Sequence, residues 1–317
     1  MNLYEKEHIK NIALRNRTIE RTIDSAVKDL SKRYTTVKGR RFSKVMTERL
    51  EQLHDEIEKT VGTGIRNQWM LANEKNNKLI DGYLPAVKIS DAMMQSFRSP
   101  NLSALDAFLS RTEKGMNLSD RVWNFTEGVK EEMESLIARG VLEGKSAITL
   151  SKELKGFIKG NPIRYEGALI PGKNLTYQAI RVAATEMNMA FRSADYLQNS
   201  KLPFVTGVTV HLSSSHPEND ICDSMQGEYP KNFQFIGWHP NCICYATFET
   251  MSKEDFVNYI KTDEIDTSNF TRDIPNKAKA YIEDNGTRLM EYENVPYWLK
   301  DNFTQKLTLK KSISRVA

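Results

Sequence analysis

Apolar residues recur along the first third of the chain at helical spacing. Ile9, Ile12, Ile19, Ile23 and Leu30 form one stripe with heptad-like steps, Asn16 filling one slot and charged residues taking the other faces. Beyond Gly39 a second stripe follows, Met46, Leu50, Leu53, Ile57 and Val61, in steps of three and four. Each predicts an amphipathic helix that needs a partner, so the two either pack on each other as an antiparallel hairpin or dock on another subunit. From about residue 82 to 117 the periodicity fails, and Pro85, Pro100 and short polar runs predict turns and a boundary. A third stripe, Val122, Phe125, Val129, Met133, Leu136 and Ile137, predicts a helix with Ser119 as N-cap and Gly140 as a left-handed C-cap. A short helix then carries Leu150, Leu154, Phe157 and Ile158 on one face and stops at Gly160.

The next helix spans roughly Leu175 to Leu197. Ile180, Ala184, Met187 and Phe191 form its core stripe, and Arg181, Thr185, Asn188 and Arg192 form a neighbouring polar one. Glu186 lies among small or apolar side chains, so a covered carboxylate there must find a partner or take up a proton. The period then changes to two. Phe204 to Leu212 and Cys242 to Glu249 are rich in β-branched and aromatic residues and predict strands. The long loop between them needs a fastening. After Glu249 the pattern is helical again, with Ser252 as a cap, Phe256 and Ile260 as an apolar pair, and Tyr281, Tyr297, Trp298 and Phe303 seeking a surface to cover. The fold class expected is mainly α with a small β module (α+β): a helical N-terminal arm over 1–110, helices and a short antiparallel β module over 111–250, and a helical tail over 251–317.

Composition narrows the function. With 39% hydrophobic residues in 317 the chain can bury a core, and a net charge of +4 does not announce a nucleic-acid binder. Two segments are locally basic: Lys32, Arg33, Lys38, Arg40, Arg41, Lys44 and Arg49 stand against Glu48 alone, and Lys306, Lys310, Lys311 and Arg315 stand in a tail without acids. They are either solvated faces or contacts for phosphates or an acidic protein. MNLYEKEHIK is charged and no apolar segment follows it, so neither a secretory signal nor a membrane helix is expected, and the chain is assigned to a reducing cytosol.

In that compartment clustered cysteines point to metal or catalysis rather than to disulfides. Cys222, Cys242 and Cys244 are the three cysteines of the chain, and His239 stands among them. Together they offer the four nitrogen and sulfur ligands of a tetrahedral zinc site. Cys242 and Cys244, if on a strand, both approach one ion only where the strand start bends. The alternatives are packed thiols behaving as small hydrophobes, a catalytic thiol with His239 as base and Asp220 as orienting acid, and a nuclease-like metal centre of His216, Asp220 and His239. His8 and His54 are expected on the surface of the helical arm, and Ser213, Ser214 and Ser215 lack any nucleophile-elbow context.

In order along the chain, G-V-L-E-G-K-S at Gly140 to Ser146, R-V-A-A-T-E at Arg181 to Glu186, D-x-C at Asp220 to Cys222, Gly227, and W-H-P-N-C-I-C at Trp238 to Cys244 resemble one family, the phage Mu F-like minor head, or head morphogenesis, proteins of tailed bacteriophages. The resemblance covers roughly Leu118 to Phe248. Two positions depart from the family pattern: Ile243 stands where an arginine is usual, and Met225 where a further cysteine is common. The resemblance implies a low-copy, non-enzymatic protein of the phage head interior, present in host cytoplasm during assembly. It implies portal and capsid or scaffold proteins as partners, packaged DNA as a further contact, and no membrane. The rival expectation is an enzyme, either the nuclease-like centre or a toxin-like transferase using Arg181 and Glu186. Those two lie five positions apart on one helix, about 140° round its axis, which sets them on different faces.

Overall fold

The computed structural model describes residues 2–36, 40–112, 115–143, 145–146, 148–149, 152–153, 163–165, 168–170, 175–213, 216 and 220–310. They are mainly helical with a small antiparallel sheet, the α+β composition the periodicity predicts. In chain order the elements are α1 Leu3–Thr36, α2 Arg40–Tyr83, α3 Asp91–Arg98, α4 Leu102–Ser110, α5 Leu118–Leu142, the hairpin β1 Ile163–Tyr165 and β2 Ala168–Ile170, α6 Leu175–Asn199, β3 Val205–His211, α7 Ile221–Met225, β4 Gly227–Pro230, β5 Tyr245–Thr250, α8 Lys253–Thr262, α9 Asn276–Met290 and α10 Tyr297–Asn302. Two compact units result. One comprises Met1–Ile9, Ile65–Asp106 and Asn188–Ala317, the other Lys10–Gly64 and Ala107–Met187. Each is assembled from stretches far apart in sequence, so neither coincides with the successive spans 1–110, 111–250 and 251–317.

The unit holding Lys10–Gly64 and Ala107–Met187 buries the two stripes. Ile19, Ile23 and Leu30 of α1 and Met46, Leu50, Leu53, Ile57 and Val61 of α2 are all almost wholly covered. Tyr34 meets Phe42 edge-on with ring centroids 4.8 Å apart. α5 is capped two residues before Ser119: the Asp120 amide donates to Asn117 Oδ1 at 2.8 Å, while the Ser119 hydroxyl donates to Glu58 Oε2 at 2.9 Å. Gly140 does not stop α5, which runs on to Leu142. The side chains of Phe125, Val129 and Ile137, and most of the short helix expected to end at Gly160, lie outside the described residues. His54 is not on the surface. It stands four residues after Leu50, on the covered face of α2, and its ring lies edge-on to Trp123 at 5.2 Å.

The other unit carries the sheet, in the order β4-β3-β5, with every pairing antiparallel. The loop between the predicted strands is not structureless, since it supplies α7 and β4. Around Phe204, Tyr83 stacks at 4.2 Å and Phe256 packs edge-on at 5.1 Å. On the other side of the sheet's sequence, Trp238, Trp298, Phe233 and Phe303 share a core with the three cysteines, so the aromatic residues of the tail cover the β module. His8 is also buried, contrary to expectation. It precedes Ile12 by one turn, stacks on Phe191 at 4.1 Å, and bonds Gln68 and Asn188. Burial holds its pKa down to about 4.

Candidate metal centre

The first half of the centre is a helix cap. Asp220 Oδ1 accepts the Cys222 amide at 2.6 Å, and Asp223 Oδ2 accepts the Asp220 amide at 2.9 Å, a reciprocal capping box on α7. The cap fixes the first turn of α7 so that Cys222 is fully buried. The second half is a turn. Gly237 has φ of +115° and Asn241 of +61°, and the Cys242 amide donates to the His239 carbonyl at 3.1 Å. Cys242 and Cys244 therefore precede β5, which begins at Tyr245, and do not lie on a strand as the sequence pattern predicts. The bend needed for both to turn inward is this turn.

Arg192 of α6 holds the turn in place. Its Nη1 donates to the Ile236 carbonyl at 3.1 Å, and its Nη2 donates to those of Cys242 at 2.7 Å and Cys244 at 2.5 Å. The guanidinium also lies 4.9 Å from the centre of the Phe235 ring. A Cβ at Gly237 would stand 2.6 Å from Arg192 Nη1, so the close approach requires glycine. Arg192 was expected on a polar stripe, and nothing in its local sequence tells that its acceptors lie more than 40 positions away.

Cys222 Sγ is 3.3 Å from His239 Nε2 and 3.9 Å from Cys242 Sγ. All three cysteines are free thiols and buried. Two zinc-bound sulfurs in a tetrahedron with bonds of about 2.3 Å lie ~3.8 Å apart. The spacing fits a shared ion and is far from a disulfide. His239 Nδ1 lies 2.8 Å from the Pro240 carbonyl, which can only accept, so Nδ1 carries a proton and, in the neutral ring, Nε2 is the nitrogen that faces Cys222 as a ligand. That same Nε2 is 3.2 Å from Asp220 Oδ2. Acceptors thus converge on a point where a cation would satisfy them.

Three of the four residues of the predicted zinc site are brought together in one group, and the fourth falls in a second. Cys222, His239 and Cys242 form one group with all ligating atoms within 4.8 Å of one another, and Cys244 joins Cys222 and His216 in a second such group. These groups can hold a metal ion. His216 belonged in sequence terms only to the nuclease-like set, and no local signal places it beside the thiols. Its Nε2 also lies 3.1 Å from Asp223 Oδ2 and 3.5 Å from Asp220 Oδ1. Protons are shared unevenly among the thiols. Hydrogen bonds from Cys222 and Cys244, with the Arg192 charge, hold Cys242 well below the ordinary thiol range, while Cys242 and then Cys244 push Cys222 well above it. For Cys244 the bond with Cys222 pulls downward, but Cys242 and burial outweigh it and push the thiol up to about 12. A thiolate, the form that ligates a metal, is therefore favoured at Cys242.

The transferase pair is not assembled. Glu186 is buried and bound by Arg111 at 2.8 Å and Arg121 at 2.5 Å, whereas Arg181 is exposed. In the first basic segment Lys32, Arg33, Arg41 and Lys44 are exposed, with Arg33 paired to Asp29 and Lys44 to Glu48. Among the described residues no helix is long and apolar enough to cross a membrane. Compared with known proteins, the chain matches no family model, no curated protein and no solved structure.

Proposed function

We propose that this is a non-enzymatic minor head protein of a tailed phage, acting in head morphogenesis, in which a structural zinc ion on Cys222, His239, Cys242 and Cys244 fastens the loop between β3 and β5. The observation that carries this is where the W-H-P-N-C-I-C block falls: it forms the turn that delivers His239 and Cys242 to the cysteine of the D-x-C block, inside an aromatic core. Three buried sulfurs completed by one partly exposed histidine nitrogen suit a structural ion, whose binding contributes on the order of 10 kcal/mol to folding. The partners are portal and capsid or scaffold proteins, with packaged DNA met through the exposed basic residues of α1 and α2, and the site of action is the head interior. The chain should co-sediment with a portal ring or procapsid when co-expressed with the products of neighbouring genes; persistent failure to associate with any head component would sink the assignment.

The nuclease-like reading has one observation in its favour, since Asp220 stands between the Nε2 atoms of His216 and His239. It predicts nicking of supercoiled plasmid with added divalent metal, lost in Asp220→Asn. Intact plasmid under a range of metals removes it.

A further inference from the structure

The two ligand groups share an atom. Cys222 Sγ belongs both to the group with His239 and Cys242 and to the group with His216 and Cys244. The Asp220 carboxylate reaches the same two histidines, with Oδ2 3.2 Å from His239 Nε2 and Oδ1 3.5 Å from His216 Nε2. One thiol and one carboxylate thus each face two histidines. A single four-coordinate ion on Cys222, His239, Cys242 and Cys244 would leave His216 and the carboxylate outside its shell.

We propose that the centre is dinuclear: two zinc-class divalent cations bridged by the Cys222 thiolate and the Asp220 carboxylate, the first completed by His239 and Cys242, the second by His216 and Cys244. The inference rests on the metal-binding reading above and extends it. Each ion then has four ligands, the number zinc prefers. The charges also close, since three thiolates and one carboxylate carry four negative charges against four positive ones. A lone divalent ion on the same residues leaves two negative charges, which the Arg192 guanidinium beside Cys242 offsets only in part, in a site whose three cysteines are at most 2% exposed. Asp220 Oδ1 also accepts the Cys222 amide and keeps a second lone pair for the metal. Asp223 Oδ2 accepts the Asp220 amide and lies 3.1 Å from His216 Nε2, a contact that the second ion would replace while Asp223 remains the cap.

The test is a metal count on the full chain, stripped, reloaded with zinc or with cadmium-113 and freed of excess. Elemental analysis should give two ions per chain, and cadmium NMR two resonances of equal intensity split by coupling through the bridging sulfur. His216→Ala should fall to one ion and one unsplit resonance, whereas Asp223→Ala should keep two. One ion in the wild type, unchanged in His216→Ala, overturns the dinuclear centre and leaves the single-ion clamp standing. No bound metal overturns both. If His216→Ala does not fold, the wild-type count and splitting still decide.

Discussion

Lys75 and Asp195 lie 120 positions apart in the chain and meet at 2.6 Å, Nζ to Oδ2. The same ammonium reaches Glu5 Oε1 at 2.8 Å and lies 5.4 Å from the centre of the Phe191 ring. All three charged side chains are buried, so the triad ties α1, α2 and α6 together within one unit. Lys75→Met, which keeps the volume and removes the cation, leaves two buried carboxylates unopposed. Urea unfolding at neutral pH should show a loss of about 3–5 kcal/mol. The loss should shrink in acid, where those carboxylates take up protons. A change under 1 kcal/mol would mean that the triad contributes no net stability.

Asp195 gives that unit a pH dependence of unusual sign. Burial, against the attraction of Lys75 and with the repulsion of Glu5, raises its pKa from 3.8 to about 6. The folded state therefore binds the proton more tightly than the unfolded one. Its contribution is fully present below about pH 4 and is lost, by about 3 kcal/mol, as pH rises through 6. His8 runs the other way: held near 4 by desolvation, it loses stability as pH falls from 6.5 toward 4. The two oppose each other in the wild type, so the difference between wild type and Asp195→Asn isolates the carboxyl. That difference should fall steadily between pH 4 and 7; parallel profiles would rule the shift out.

These buried polar groups mark the limit of what the sequence discloses. The stripes from Ile19 to Leu30 and from Met46 to Val61 were legible because a 3.6-residue period of apolar side chains has one physical use. The two main strands were legible by their period of two, and the cysteine cluster by residue type. Lys75, Asn73 and Asn76 sit in a run of polar residues beyond the second stripe, yet all three are buried. Their fate depends on partners far away in the chain, which composition does not reveal. The same holds for His8, whose Nε2 meets Asn188 Oδ1 at 2.9 Å across 180 positions. At the candidate metal centre the clustering of thiols and imidazole was readable, but the Arg192 clamp and the approach of His216 were not, because both arise from tertiary contacts.

Glu186 separates a structural from a catalytic carboxylate. Arg111 and Arg121 bind its two oxygens from one side each, Oε2 and Oε1. Glu186→Ala should cost about 3 kcal/mol, because two guanidinium groups lose their shared acceptor, and Arg121→Met should cost less. A Glu186 variant that melts like the wild type would return the residue to the list of catalytic candidates.

Two glycines should respond to alanine with opposite signs. At Gly237 the φ of +115° is one that L side chains rarely adopt, and the new Cβ would press on Arg192, so Gly237→Ala should destabilise by about 2–3 kcal/mol. At Gly62, inside α2, a Cβ meets nothing within 4 Å, and Gly62→Ala should stabilise by about 0.5–1 kcal/mol. Thermal melts of the two variants side by side check both, and a neutral Gly237→Ala would show that the turn is not held in this conformation.

Arg192 is the position where protein scaffold and candidate metal centre are coupled. Its two terminal nitrogens supply donors to three carbonyls of the turn that carries His239, Cys242 and Cys244, so the turn's shape depends on a residue that ligates nothing. In Arg192→Ala those carbonyls are left buried without their donor, at a cost of about 3–5 kcal/mol. Arg192→Lys keeps the charge, but a point ammonium does not span acceptors that a planar fork serves together, so it should fall between the wild type and the alanine variant. Supports of this kind typically change metal affinity by about 10–100-fold. Competition with a chromogenic chelator should therefore show weaker zinc retention in the order Lys, then Ala, with the thiols more accessible to a thiol reagent in the same order. Retention unchanged in a destabilised Arg192→Ala would mean that the cysteine turn keeps its shape without the clamp, and that Arg192 serves the fold alone.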